Sequence, residues 1–548
     1  EVAAGIAAEY FNESNGSGRA FALVTAGPGV TNILTAMGGA WLESRELLVL
    51  AGQVKSADLA TNGIRQRGIQ EINGVDLARP VAKVSECIAA PIPAKEFADM
   101  VLEGRRNRPG PVFIEFCLDA QGAPVSSSEL GQIGEADKYV GPETSLVAAA
   151  HDVAASVVVK LRVARRPVVL LGGGISRELT TRRRSGLASM NVPMMTTWNG
   201  ADRLDSGADN FFGRPNTWGQ RHANIILSQA DLIVALGTRL GLQQTGFNWQ
   251  AFGRGAHIVH VDVDEAELSK GHPRTDSPIK ADANVILSAL LEEEYQPDPE
   301  WFSYCREIER LYPLCDPTNE TRDGFVSPYF FYRDLSELAR SEDIIVPCSS
   351  GGANSVAMQV IQQKHGQVIV TDKGLASMGY GLAGAIGAAM AHPGRRTWLV
   401  EGDGGFSQNL QELATVEVNR LPIKTFIFAN DGYGSIRMTQ KNYFGGAYLG
   451  CDIETGLGFP TWEKLFAAYR IPCLTVNENW AEDPQVSKLL EDSGPAAFIV
   501  PIDPLQTYWP KITSRITESG SMESNPLHLM TPDLSPEDQT KVFKYVAP

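Results

Sequence analysis

A carboxylate and a carboxamide, each at the end of an apolar run, could hold a divalent cation against a diphosphate. Trp398-Leu399-Val400 runs into Glu401-Gly402-Asp403-Gly404-Gly405-Phe406, and Thr425–Ala429 runs into Asn430-Asp431-Gly432-Tyr433-Gly434. Magnesium takes oxygen ligands in a near-octahedral array and commonly shares them with phosphates. Asp403 and Asn430 can each supply a side-chain oxygen and Gly432 its carbonyl. Phosphate oxygens and a water would complete the shell. Gly404 and Gly405 let the backbone approach the diphosphate, and the helix start behind them favours negative charge. A lone Gly-Asp-Gly is more often an ordinary β-α turn with an incidental Asp. Here 25 residues separate it from Asn430, and they read as a helix, Leu410–Val418, and a second strand, Thr425–Ala429. In a parallel sheet both strand ends fall on one edge, where ligands of open α/β sheets bind.

Those strands belong to the last of three stretches that alternate apolar runs with helical patterns. The fold class expected is α/β, with three doubly wound parallel-sheet domains. The first domain spans 1–121, with strands Ala20–Thr25, Leu47–Ala51 and Val112–Phe116, and a Pro-, Gly- and Ser-rich linker covers 122–144. The second spans 145–296, with strands Val168–Leu171, Leu232–Leu236 and Ile258–Val263. A linker at 297–320, opened by Pro297 and Pro299, leads to the third domain at 321–504, where Ile344–Pro347 is a further strand. Residues 505–548 form a Pro- and Ser-rich tail, expected to act as a lid or as an arm across a neighbouring subunit.

Composition narrows the function classes. The net charge is −16, which argues against nucleic acid or an anionic membrane as the main partner. No apolar run approaches the roughly 18 residues of a membrane span, and no signal peptide opens the chain. The seven cysteines include no C-x-x-C, which points to buried free thiols in a reducing, cytoplasmic setting. The first ten residues, EVAAGIAAEY, read as the inside of a helix without cap or initiator Met, so the true N-terminus is expected to lie upstream.

Other segments carry a recognisable pattern. Leu23-Val24-Thr25-Ala26-Gly27-Pro28-Gly29-Val30-Thr31-Asn32 holds a Gly-Pro-Gly loop, and Gly52-Gln53-Val54, Ile69-Gln70-Glu71, Lys83 and Arg108-Pro109-Gly110-Pro111-Val112 follow. In the third domain stands Lys373-Gly374-Leu375-Ala376-Ser377-Met378-Gly379-Tyr380-Gly381-Leu382. With the Gly402–Asn430 segment, these resemble the thiamine diphosphate enzyme superfamily, and within it acetolactate synthase and related flavin-containing 2-oxoacid carboligases, along nearly the whole chain.

The resemblance implies roles. Glu1, Ala4 and Ala8 fit a family helix whose Glu hydrogen-bonds a pyrimidine nitrogen of thiamine diphosphate. A carboxylate in a dry pocket favours protonation of its partner more than it would in water. Gln70 and Lys83 would hold substrate oxygens. Pro28, Gly29, Asn32, Met378, Gly402, Gly404, Gly405, Asn430, Gly432, Tyr433 and Gly434 would bind the cofactor, with Met378 as the wedge that keeps it bent. Asp403, Asn430 and Gly432 would hold Mg2+. The middle domain resembles the family's flavin-binding domain, and its candidates for FAD lie mostly at strand ends. They are Gly172, Gly173, Gly174, Thr196, Thr197, Gly237, Thr238, Arg239, Asp262, Asp264, Asp282 and Ala283. An Arg could meet dinucleotide phosphates and a strand-end Asp could accept from ribose or adenine. Some relatives keep this domain without flavin.

The pattern also departs. Ile436-Arg437-Met438-Thr439-Gln440 stands where the family has a run ending R-Q-W-Q, so Thr439 replaces an acceptor-pocket Trp; Ile69 replaces a Phe. Gly351-Gly352-Ala353 replaces a G-Q-H segment on the diphosphate side, losing its side-chain contacts. The tail around Ser521–His528 is similar to a branch associated with polysaccharide and nucleotide-sugar biosynthesis.

The function expected is decarboxylation of a 2-oxoacid, pyruvate first, with transfer of the two-carbon unit to an acceptor carbonyl. The acceptor is either a second pyruvate, giving 2-acetolactate, or a bulkier ketone such as a keto-sugar nucleotide. Simple decarboxylation to an aldehyde is disfavoured by the absence of any His-His pair. A non-catalytic cofactor-binding protein is the reading of another class. The family's active sites lie between subunits, which implies a homodimer or homotetramer.

Overall fold

The computed structural model describes residues 1–14, 19–131, 144–348, 350–516, 518 and 520–548. These residues form three parallel sheets. The first sheet joins β1 (Phe21–Val24), β2 (Leu47–Gln53), β3 (Val84–Ile88) and β4 (Pro111–Cys117) in the order β1-β2-β4-β3. The second joins β5 (Pro167–Leu171), β6 (Met194–Thr196), β7 (Leu232–Leu236), β8 (His257–Asp262) and β9 (Ser277–Lys280) in the order β6-β5-β7-β8-β9. The third joins β10 (Ile344–Pro347), β11 (Val368–Ile369), β12 (Thr397–Gly402), β13 (Ile423–Ala429), β14 (Cys473–Thr475) and β15 (Ala496–Pro501) in the order β11-β10-β12-β13-β15-β14. The central strands β5, β7 and β10 are buried at every position, as expected of parallel sheets covered on both faces. The expected α/β class with three parallel-sheet domains is what the chain adopts.

The first and third domains share one core. Helix α1 (Val2–Ser14) packs on its own sheet through α2 (Pro28–Glu43), and also on a distant helix of the third domain, Tyr380–Ala391. A Cβ at Gly387 would lie 2.0 Å from the Ala7 carbonyl oxygen, and one at Gly384 would lie 2.6 Å from the Tyr10 ring. Only glycine permits that approach. Across the same seam Tyr380 Oη donates to Glu9 (2.7 Å), and Arg45 donates to Glu9 (2.9 Å) and to the Thr371 carbonyl (2.5 Å).

The second domain is fastened to both others by one arginine. Arg177 donates to Asp202 (2.7 Å), to the Glu13 carboxylate (2.8 Å) and to the Ile369 carbonyl (3.2 Å). Asp202 in turn accepts from Ile369 N (2.9 Å). Asp202 is buried and Arg177 and Glu13 are part-buried, and the charges are paired, the condition under which burial is tolerated.

One inter-domain segment differs from the sequence reading. The stretch 297–320, expected as a linker, carries α3 (Pro299–Leu311). Asp298 caps it by accepting from Glu300 N (3.1 Å), and Trp301 is fully buried with its indole N–H on the Pro167 carbonyl (3.0 Å). The prolines mark a helix start, where Pro is favoured at the first position. Of the linker expected at 122–144, residues 132–143 lie outside the described residues.

The tail folds back on its own chain. After a hairpin of β16 (Ser514–Ile516) and β17 (Met522–Ser524), Leu527, Val542 and Phe543 join the second domain's core beside Trp301 and Tyr304. Asn224 donates to the Leu527 carbonyl (2.9 Å) and Gln229 to that of Val546 (2.8 Å). His528 is buried edge-on against Phe543, and burial pushes its imidazole down to about 4. The released tail would protonate near 6.5 and the docked one only near 4. Docking is therefore complete above about pH 6.5 and weakens as pH falls, by up to about 3 kcal/mol at pH 4. Hydrogen exchange of the tail, followed from pH 7 to pH 4, should show this loss, and His528→Asn should flatten it. A variant profile as steep as wild type would assign the acid lability elsewhere.

No helix among the described residues is long and apolar enough to cross a membrane.

Candidate active site

Strands β12 and β13 are hydrogen-bonded neighbours with Gly402 opposite Phe428, so Asp403 and Asn430 emerge side by side on one sheet edge. Asp403 opens a helical turn, Asp403–Phe406, and is 2% exposed. One of its oxygens accepts from Gly404 N (2.7 Å); the other accepts from Asn430 N (3.0 Å) and Gly432 N (3.4 Å). Burial pushes its carboxyl up to about 7 against these amides. The near end of the Asn430 carboxamide lies 2.7 Å from the Gly432 carbonyl oxygen and 3.3 Å from Asp403 Oδ1. Turned with nitrogen there, the amide donates to both. Turned with oxygen there, Asp403, Asn430 and Gly432 present three converging oxygens, a donor set that fits magnesium.

The loop after Asn430 is held from below. Arg437, at the base of a helix Gly434–Tyr443, donates to the carbonyls of Asp431 (3.2 Å) and Pro504 (3.2 Å). A Cβ at Gly432 would lie 2.2 Å from the Cys451 carbonyl oxygen and 2.4 Å from Arg437 Nη2, so the position is closed to side chains. Tyr433 covers Gly404, where a Cβ would lie 2.4 Å from its ring. Glu401, buried behind the turn, packs against the Tyr380–Ala391 helix, where a Cβ at Gly381 would lie 2.5 Å from its carboxylate, and burial pushes it up to about 8. It thereby fixes the start of the Tyr380–Ala391 helix, on whose lip Met378 stands 42% exposed.

A second group forms on the first domain. Glu1 accepts from Asn32 Nδ2 (3.3 Å). The Gly27-Pro28-Gly29 turn presses on Gln70: a Cβ at Gly27 would lie 2.3 Å from the Gln70 carbonyl oxygen. Gln70 has φ 60°, and Glu71 holds the loop around it by accepting from Arg67 N (2.7 Å) and Gly68 N (2.9 Å). Ile69 projects, 92% exposed. Lys83 does not join this group. It immediately precedes β3, level with Pro111 at the start of β4, and so stands on the opposite sheet edge. There it donates to the Arg106 carbonyl (2.8 Å) and pairs with Glu103 (3.1 Å).

Among the described residues no hydrogen bond or ion pair joins the Glu1 group to the Asp403 group. Both leave apolar side chains in water: Leu23 and Ile69 on one side, Phe444, Leu449 and Ile453 on the other, each at least 65% exposed.

The central-domain candidates gather in a cleft of about 1660 Å³. Gly173, Gly174, Thr197, Gly237, Thr238, Arg239, Asp262, Asp264, Asp282 and Ala283 line it, with Glu43 and Arg108 from the first domain and Lys373 and Gly374 from the third. Its floor is the crossing of the β5 and β7 loops, where a Cβ at Gly172 would lie 2.1 Å from the Gly237 carbonyl oxygen. That is the point where the strand order reverses, the usual ligand crevice of such sheets. Gly172 and Thr196 do not line the cleft: Gly172 serves the loop crossing and Thr196 is wholly buried within β6. Asp264 is occupied, capping a helix through Ala266 N (2.9 Å) and pairing with Arg108 (3.1 Å). Burial pushes Asp262 up to about 6.

Three family models match in the order of these domains: the thiamine pyrophosphate enzyme N-terminal TPP binding domain at 1–77, the central domain at 154–290 and the C-terminal TPP binding domain at 349–500. The chain is a thiamine pyrophosphate enzyme. Among its relatives are the acetolactate synthase large subunit of Porphyra purpurea, 27% identical over 93% of this chain and 85% of that protein, and acetolactate synthase isozyme 1 large subunit of Escherichia coli, 28% identical over 93% and 87%. The probable acetolactate synthase large subunit of Methanocaldococcus jannaschii is 29% identical over 86% and 79%. The thiamine pyrophosphate enzyme described here is thus of acetolactate synthase type. Sequence reasoning misses the positioning roles of Glu401, Arg437 and Arg108. A Glu directly before the Gly-Asp-Gly was the available signal for the first.

Proposed function

We propose that this enzyme decarboxylates a 2-oxoacid of the pyruvate class and transfers the two-carbon unit to an acceptor carbonyl. The observation that carries this is the convergence of Asp403, Asn430 and Gly432 oxygens beside a glycine-lined turn, which suits a Mg2+–diphosphate clamp. Thiamine diphosphate, when bound, supplies a nucleophilic carbon and takes up the electron pair released as carbon dioxide leaves. Gly402, Gly404, Gly405, Tyr433 and Gly434 let the diphosphate approach; Met378 supports the ring system. Glu1, oriented by Asn32, serves the cofactor's pyrimidine beside the Pro28–Gly29 turn, and Gln70 holds substrate oxygens. The position of Lys83 supports a role in the fold instead.

The two groups of residues serve one site when two subunits pair, covering the apolar side chains and excluding water. The enzyme is therefore read as a homodimer or a homotetramer of such dimers, cytoplasmic, with neither nucleic acid nor membrane as partner. The central cleft is assigned to FAD, with Gly173, Gly174 and Gly237 at its phosphates and Asp262 and Asp282 toward its ribose and adenine.

A bulkier acceptor, such as a keto-sugar nucleotide, is a second reading. It is favoured by Thr439, whose hydroxyl folds back onto the Ser435 carbonyl (3.0 Å), and by Ile69. Neither supplies an aromatic wall. Carbon dioxide release from pyruvate with thiamine diphosphate and Mg2+, with products identified by mass spectrometry across a panel of acceptor ketones, tests both. No release from any 2-oxoacid while cofactor is demonstrably bound would leave a non-catalytic binding protein. Acetolactate as sole product would sink the bulky-acceptor reading.

A further inference from the structure

The chain leaving the third domain passes close to the clamp as a strap, and its course is fixed on several sides. Asn319 donates to the Trp509 carbonyl (3.0 Å), Gln359 to that of Pro510 (2.8 Å), and Ile512 N to that of Thr217 (2.8 Å). Lys511 is 7% exposed, and among the described residues no carboxylate pairs with it. Its ammonium lies 4.8 Å from the ring centroids of both Trp218 and Trp509, with Met438 Sδ 3.2 Å away. A cation packed on aromatic faces ties the strap down firmly.

This anchoring sets Tyr508 before the helix α4 (Gly351–Val360). A Cβ at Gly352 would lie 2.5 to 2.7 Å from three Tyr508 atoms, the hydroxyl oxygen among them. The phenol therefore occupies the space that a side chain at position 352 would fill. The same helix start lies beside the clamp loop, where a Cβ at Gly351 would lie 4.0 Å from Ser435 Oγ, next to Gly434. Among the described residues the hydroxyl has no hydrogen-bond partner, and the Ser350 side chain does not cap the helix start. Phenylalanine would fill the same notch. The hydroxyl is thus a donor left open to a ligand's oxygens.

We propose that Tyr508 is a diphosphate-binding residue, its hydroxyl donating to the cofactor's phosphate oxygens at the start of α4, in the space left by the absent side chain of Gly352. This rests on the reading of Asp403, Asn430 and Gly432 as the Mg2+–diphosphate clamp. Hydrogen bonds to charged oxygens are among the stronger ones, so the effect should be measurable.

Calorimetric titration of the full chain with thiamine diphosphate at saturating Mg2+ tests it. Tyr508→Phe keeps the ring and should weaken binding about tenfold or more, with melting temperature unchanged and affinity for unphosphorylated thiamine unchanged. Tyr508→Phe binding as tightly as wild type overturns the assignment. Tyr508→Ala should weaken binding at least as much, and adding Gly352→Gln to it should recover affinity by supplying a polar group from α4; no recovery counts against a shared subsite. Wild type that fails to bind thiamine diphosphate overturns the clamp itself and this assignment with it. Wild-type binding with loss confined to the variants isolates Tyr508.

Discussion

Asp403→Asn is expected to weaken Mg2+-dependent thiamine diphosphate binding by more than about a hundredfold. Loss of a group that merely supports a ligand commonly costs 10- to 100-fold, and Asp403 is the sole carboxylate of the proposed oxygen set. The substitution keeps the side chain's shape and one of the two oxygens that accept separately from Gly404 N and Asn430 N, while the charge is lost. A neutral site offers magnesium no electrostatic compensation for shedding water. Titration of cofactor at fixed Mg2+, with the melting temperature as control for folding, measures it. Native affinity and native Mg2+ dependence in the variant would remove Asp403 from the metal site.

Glu1→Gln should lower the rate of carbon dioxide release by about a hundredfold or more, the usual range for a positioned proton-transfer group, while thiamine diphosphate binding stays roughly as in wild type. Exchange of the cofactor's thiazolium proton with deuterium, followed by NMR, should slow in parallel. In one chain Glu1 is exposed, and among the described residues its carboxylate meets only Asn32, at 3.3 Å. Its carboxylate gains strength only where pairing excludes water. This yields a sharper test. Co-expressed Glu1→Gln and Asp403→Asn subunits should recover activity that neither has alone. In a mixed dimer one site joins the intact Glu1 of one subunit to the intact Asp403 of the other. Random assembly makes half the dimers mixed, so recovery should reach about a quarter of wild type. No recovery would place both residues' sites within single chains.

What the sequence discloses and what it hides have different physical origins. The clamp is legible because each candidate ligand terminates an apolar run, and two neighbouring parallel strands bring such ends together. The same logic finds Gly173, Gly237 and Asp262 around one cleft. It fails for Thr196, which ends β6 but is wholly buried. Family likeness carries the identity of Lys83 but not its edge; only the start of β3 at Val84 reveals that. Prolines at 297 and 299 mark a helix start as readily as a linker, and Trp301, Tyr304 and Ile308 were the periodic signal that decides. Arg177 meets Glu13 across 164 residues of chain, and Tyr508 reaches Gly352 from a strap with no local mark. Contacts of that kind leave no period in the sequence.

The packing of the Val2–Ser14 helix against Tyr380–Ala391 has a consequence for biosynthesis. The bond from Tyr380 to Glu9 spans 371 residues. At about 5–20 residues per second, a ribosome that has made the first helix needs on the order of 20 to 70 s to deliver its partner. Throughout that interval the face of this helix that meets Gly384 and Gly387 is uncovered, and Glu9 has no phenol to bind. The seam between the first and third domains can therefore close only after most of the chain between them has been made.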